Sequence, residues 1–436
     1  MSADRPINAD VPVSEGTATE SSPAPKQPRR RRTPVPLTLK LLAAIVVLAI
    51  VFIVAAVLGG SGGGSSSTTV GPAPVAEPTS PERPAAQTAE QLGYPSFATG
   101  NTTRVGGSDP ASNAAGVALA VFPSRASSQH PAAVTLVDED DWAGAIAASV
   151  LMSAPVRAPV LFSNAQGLPD PTTEALAALD PQGDAATRGA AVFAIGNVSL
   201  PAGSGAVTRV DAGDAASTAA QIATLRDRLF GSAPSDFLVV PSARPEIAMP
   251  AAAWAARSGD PVLFTASDEL SPPTATTLKD HPKVPVYVLG PSSAISSKVV
   301  REIAKIDGRV KRVSGEDAVA NAIAFARYRD GDFGWNINDP GHGFVLARSD
   351  APLDAAAAAP LSASGTWGPL LLSDDAATLP AELRSYFLDV KPGYTTNPTR
   401  AFYNHVWVIG DQEAIDVNQQ AEVNELTELA KIGGEQ

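Results

Sequence analysis

The sequence predicts an α/β protein, built of three tandem parallel-sheet modules and preceded by one transmembrane helix. Three observations predict it. The stretch RVGGSDPASNAA, beginning at Arg104, returns as RVDAGDAASTAA at Arg209 and as RVSGEDAVANAI at Arg312. Between these starts, short runs of Val, Leu, Ile and Phe alternate with Ala-rich helical segments. The runs are apolar throughout, which is the pattern of strands buried on both faces of a parallel sheet. Finally, the run Leu41 to Leu58 contains no polar residue and follows a cluster of arginines.

From the N-terminus, residues 1–36 are rich in Pro, Ser, Ala and charge, lack apolar periodicity, and read as a disordered tail. Residues 37–58 form the expected span, reaching about 30 Å at 1.5 Å per residue. A cleaved secretory signal is the competing reading, but the apolar run is long for one and AAVLGG is a poor cleavage site. Arg29 to Arg32 and Lys40 precede the span, and the next basic residue is Arg83. The positive-inside rule therefore keeps the tail in the cytoplasm and places the body outside, as a single-pass signal-anchor. Residues 59–93 are Gly/Ser-rich and then Pro-rich, a flexible tether. Gly59 to Gly63 spell G-x-S-x-G between a span and a linker, not between a strand and a helix, so they form no nucleophile elbow.

Composition narrows the chemistry. The 436 residues include no cysteine, which excludes thiolate metal sites, thiol nucleophiles and disulfides. Net charge is −13; residues 1–40 carry seven basic and four acidic groups, a net of +3, which leaves −16 on the remainder. A body this acidic is a poor partner for nucleic acid.

The modules are expected at 94–205, 206–308 and 309–436. In each, the opening arginine precedes an aspartate by five residues (Asp109, Asp214, Asp317), then an Ala-rich segment. Aspartate before a helix, followed at Asp109 by proline, is an N-cap pattern, so the three aspartates are expected as structural caps. A strand, an Ala-rich helix, a second strand, a proline-marked helix and a third strand ending in Gly196, Gly290 or Gly410 follow in order. After Gly196 the run NVSLPAGSGAVT leaves no room for the helix expected after Gly290. The third module carries two turn-rich insertions, from Arg327 and from Asp389.

In these features the chain resembles the cell wall binding repeat 2 family, surface proteins of Gram-positive bacteria that usually carry three tandem copies. The matching positions are Arg104, Arg209 and Arg312; Ala114, Ala219 and Ala322; Pro159, Pro261 and Pro369; and the three strand-end glycines. The family's Pro-x-Asp-Ala stands only in the third unit, as Pro352, Asp354 and Ala355, and its tyrosine and second glycine are absent. The resemblance implies Rossmann/flavodoxin-like modules packed as a pseudo-trimer. It also implies non-covalent binding of a cell-wall anionic polymer or peptidoglycan, which with the expected span gives a membrane-anchored, extracytoplasmic wall-binding protein. In such a ring Arg104, Arg209 and Arg312 take equivalent places, where they serve either as inter-module contacts or as polymer-binding groups.

No enzyme is expected. His130, His281, His342 and His405 stand singly, without metal-ligand spacing. No phosphate-binding or dinucleotide-binding glycine motif is present, so no cofactor is expected. Asp330, Asp332, Asn338 and Asp339 lack the order of a calcium loop, and the acidic run Val137 to Asp141 has no counterpart in the other repeats. Two alternatives accompany the wall-binding reading. One is an envelope scaffold that binds a protein partner and has lost polymer binding; the other is an enzyme acting on envelope glycans, which needs paired carboxylates in a cleft.

Overall fold

Apolar runs flanked by proline and glycine become strands here because helices cover both their faces. The computed structural model describes residues 97–211 and 213–432. The expected tail, transmembrane span and tether, residues 1–93, lie outside the described residues. Among the described residues no helix is long and apolar enough to cross a membrane.

The chain enters through β1 (Phe97–Ala98), β2 (Thr102–Val105) and α1 (Pro110–Val121). The first sheet follows: β3 (Val134–Asp138), α2 (Trp142–Ala148), β4 (Val160–Ser163), α3 (Asp170–Leu179), β5 (Ala190–Ile195) and β6 (Ala206–Val210). Its order is β4-β3-β5-β6, all parallel. After α4 (Ala215–Phe230) come β7 (Phe237–Pro241), α5 (Pro245–Ala248), α6 (Pro250–Ser258), β8 (Val262–Thr265) and α7 (Pro272–Asp280). Then β9 (Val286–Leu289), α8 (Ser297–Ile306) and β10 (Val310–Val313) complete the second sheet, β10-β9-β7-β8.

The third part contains α9 (Ala318–Arg327), β11 (Gly343–Arg348), α10 (Pro352–Ala363), β12 (Leu370–Ser373) and α11 (Ala381–Asp389). It ends with β13 (Gly393–Tyr394), β14 (His405–Ile409), α12 (Val417–Thr427) and β15 (Ala430–Lys431). Its sheet is β1-β2-β14-β11-β12, parallel except for β1.

Sequence repeat and sheet are out of phase by one strand. The strand that opens each repeat hydrogen-bonds to the last strand of another repeat's sheet. Arg209 on β6 lies opposite Ala194 of β5, and Arg312 on β10 opposite Val288 of β9. Arg104 on β2 lies opposite Val408 of β14, so the start of the chain closes the sheet built from its end. The three repeats are thereby interlocked in a circle.

The Ala-rich helices α2, α6 and α10 touch one another pairwise. They are rich in small buried residues, Ala145, Ala147, Ala148, Ala251 to Ala253 and Ala355 to Ala359 among them, which lets the backbones approach closely. One apolar core cluster runs through these three larger sheets, while β13 and β15 pair separately. The first of the third repeat's insertions also reaches into the second. The Phe333 ring stacks on Tyr287 with centroids 3.5 Å apart and meets Trp254 edge-on at 5.0 Å. Between β5 and β6 there is no helix, whereas α8 and α12 fill the corresponding place in the other two sheets.

Candidate functional site

The arginines that open the repeats stand in the same register beside the neighbouring strand, and in two of the three sheets the guanidinium reaches that strand's terminal glycine. Arg104 is only 2% exposed. Its Nε donates to Gln420 Oε1 at 3.0 Å and its Nη1 to the Gly410 carbonyl at 2.9 Å. It also donates to the carbonyls of Asp411 and Ile415. Burial lowers the pKa of this guanidinium, against which Asp411 and Asp416 act in the opposite direction. Arg312, half-buried, donates to the carbonyls of Gly290 and Ile295. The stretches GPSSAI and GDQEAI after β9 and β14 supply equivalent acceptors. Arg209 has no such stretch to meet. It is exposed and makes no hydrogen bond or ion pair among the described residues.

The aspartates five residues on cap helices. Asp109 accepts from the Ser112 amide at 2.9 Å, Asp214 from that of Ser217 at 2.8 Å and Asp317 from that of Ala320 at 2.8 Å. Each satisfies a backbone N–H that the first helical turn leaves free. The residue four further on does more. Asn113 accepts from the Gly107 amide at 2.8 Å and donates to Asp354 Oδ1, also at 2.8 Å. Asn321 accepts from the Gly315 amide and donates to the Ile247 carbonyl at 3.2 Å. In the second repeat this position is Thr218, whose buried hydroxyl has no partner among the described residues. These three residues hold the same place in the repeated stretch, and their Asn–Thr–Asn difference is the signal the sequence offers.

The Asn113–Asp354 bond lies beneath a crevice of about 310 Å³ at the carboxyl ends of β2, β14 and β11. In an open α/β sheet this is the switch point, where loops diverge and ligands bind. Ser108 and Asp109 line it from the first repeat, and Arg348, Asp354, Asp411 and Glu413 from the third. Burial pushes the Asp354 carboxyl up to about 6, and the bond from Asn113 acts against that. Arg348 donates to Asp350 at 2.7 Å through Nη2, while its buried Nε has no partner among the described residues. In the second sheet the equivalent space is taken by Ile247, whose side chain a Cβ on Gly290 would meet at 2.6 Å.

The other sequence candidates sit elsewhere. His281 bonds Asp227 at 2.7 Å and the Thr277 carbonyl at 2.8 Å. His342 meets Asp339, His405 meets Thr103, and His130 meets the Ser124 carbonyl. Asp330 accepts from the Tyr287 hydroxyl and Lys311, and Asn338 pairs with Arg327. In the acidic run, Asp141 caps α2 and Glu139 accepts from Asn164. Among the described residues no three acidic or histidine side chains are grouped to hold a metal ion.

Three mainly parallel sheets, interlocked by exchanged strands and joined through Ala-rich helices, define a tandem-repeat α/β protein. Residues 209–300 match the family Cell wall binding domain 2 (CWB2), and the chain carries a repeat of that cell wall binding family. The fold is similar to that of Cwp6 from Clostridium difficile, with a TM-score of 0.61 and 20% identity, over 75% of this chain and 48% of that one. It is also similar to Cwp8 from Clostridium difficile, with a TM-score of 0.56 and 21% identity, over 75% of this chain and 52% of that one. The chain thus spans about half the length of either protein, and what it shares with them is the fold. No curated protein matches the sequence.

Proposed function

We propose that this protein attaches non-covalently to a polymer of the cell wall through its three-module body, and that residues 37–58 anchor it in the membrane with the body outside. The polymer is an anionic wall polymer or peptidoglycan, and the protein binds rather than catalyses. The observation that carries the reading is the switch-point crevice, built jointly by the first and third repeats of a chain whose middle repeat matches the CWB2 family. Its carboxylates and the Ser108 hydroxyl suit the hydroxyls of a sugar residue, and Arg348 offers the donor for an anionic substituent. Its volume lies at the lower end of ordinary ligand pockets. The same acidity disfavours binding through phosphates alone, so sugar hydroxyls provide the main contacts.

Ser108 is exposed at the crevice mouth, so Ser108→Trp fills the space without disturbing the core. Titration with soluble wall-polymer fragments should show affinity falling at least about tenfold in this variant. Its melting temperature should stay within a few degrees of the wild type. Unchanged affinity in a folded Ser108→Trp protein would remove the crevice from the binding site.

A further inference from the structure

The first sheet lacks a helix that the other two possess, and the place where it would lie is open. In the second sheet α8 seats Val299 and Ile303, both fully buried; in the third, α12 seats Val423 and Leu426. Each helix is entered through the turn whose carbonyls hold the repeat arginine. After β5 the chain instead runs through a Pro/Gly-rich loop directly to β6. A groove of about 620 Å³ remains between α3 and that loop, lined by Leu168, Leu176, Ala177, Val192, Leu200 and Gly205. Arg209 stands four residues beyond Gly205, in the register that in the other sheets points the arginine at the missing turn. A largely apolar groove thus adjoins a strand whose cation, beyond the groove's own lining, has no partner among the described residues.

We infer that this groove is a docking site for an amphipathic helix of a partner protein, entered through a turn whose carbonyl or side-chain oxygens take the Arg209 guanidinium. The fold itself displays the occupant twice. The required helix carries apolar residues three or four apart, facing α3 and β5, and an amide or carboxylate toward Arg209, as α12 presents Gln420 to Arg104. Charge complementarity selects a helix that is neutral or acidic on that side. The inference is independent of wall binding, because the crevice belongs to a different sheet.

The chain's own covering helices supply the probe. A synthetic peptide with the sequence Gly410 to Thr427 is titrated against the full chain in detergent. The protein has no cysteine, so Ala177→Cys, at an exposed groove position, gives a unique attachment point for an environment-sensitive dye. The expected result is saturable binding with a dissociation constant below about 1 mM, weakened at least about tenfold by Arg209→Ala and abolished by Leu200→Asp. Circular dichroism melts establish that both variants remain folded. No saturable signal, equal affinity for Arg209→Ala, or equal binding of a scrambled peptide would overturn the proposal. Cross-linking from the Ala177→Cys thiol to residues 59–93 of the same chain would also overturn it, by giving the groove an intramolecular occupant.

Discussion

A guanidinium removed from water is tolerated only when its donors are met, and Arg104 meets the Gln420 side chain and three main-chain carbonyls. Replacing it by alanine leaves the carbonyls of Gly410, Asp411 and Ile415 without that donor. Arg104→Ala should therefore cost more than about 3 kcal/mol in urea unfolding. Arg209→Ala, at an exposed position, should change stability by no more than about 0.5 kcal/mol. Equal effects at the two sites would contradict the different environments described. Asp354 gives a second expectation. Its folded-state pKa, about 6, lies above the unfolded value of about 3.9, so the folded state holds the proton more tightly. Stability from this group is then present below about pH 4, is lost as pH rises toward about 6, and stays lost above it. Asp354→Asn should remove this slope and raise stability at pH 7 by on the order of 2–3 kcal/mol, measured by unfolding across pH 4 to 7. The repeated arginine and aspartate were legible in the sequence because they recur without a gap. The arginine's acceptors were not, since main-chain carbonyls carry no residue code.

Strands and helices follow from local pattern, and here the apolar runs at Val134, Phe237 and Gly343 each begin a first strand of a sheet. Which strand lies beside which is a non-local property. Nothing in the composition of RVGG tells that β2 lies beside β14, three hundred residues away. The insertion after Arg327 illustrates the same gap. Its glycines and aspartates mark turns, yet Phe333 within it is only 2% exposed and packs between Tyr287 and Trp254. Phe333→Ala should cost about 3–5 kcal/mol, as for a buried phenylalanine, and a calorimetric melt measures it. A cost below about 1 kcal/mol would show the insertion to be a detachable surface loop. The absent helix after Gly196, by contrast, was legible from chain length alone.

At the scale of the whole molecule, circular interlocking makes the first described strands part of the last sheet. The Gly410 amide bonds the Val105 carbonyl, and the Val406 amide bonds that of Asn101. A protein lacking residues 97–105 should lose protection at both amides in hydrogen exchange, and its third sheet should open before the other two. Uniform protection would mean that the closure contributes no stability.

The central claim, attachment to the wall, is tested most directly by co-sedimentation of the compact unit Arg83–Gln436 with isolated cell walls. The walls are used intact and after chemical removal of their anionic polymers, across a salt series. Retention on intact walls that Ser108→Trp abolishes is the predicted result, and the stripped walls tell whether the anionic polymer or peptidoglycan is bound. No retention under any condition would contradict wall attachment and leave the scaffold reading in its place.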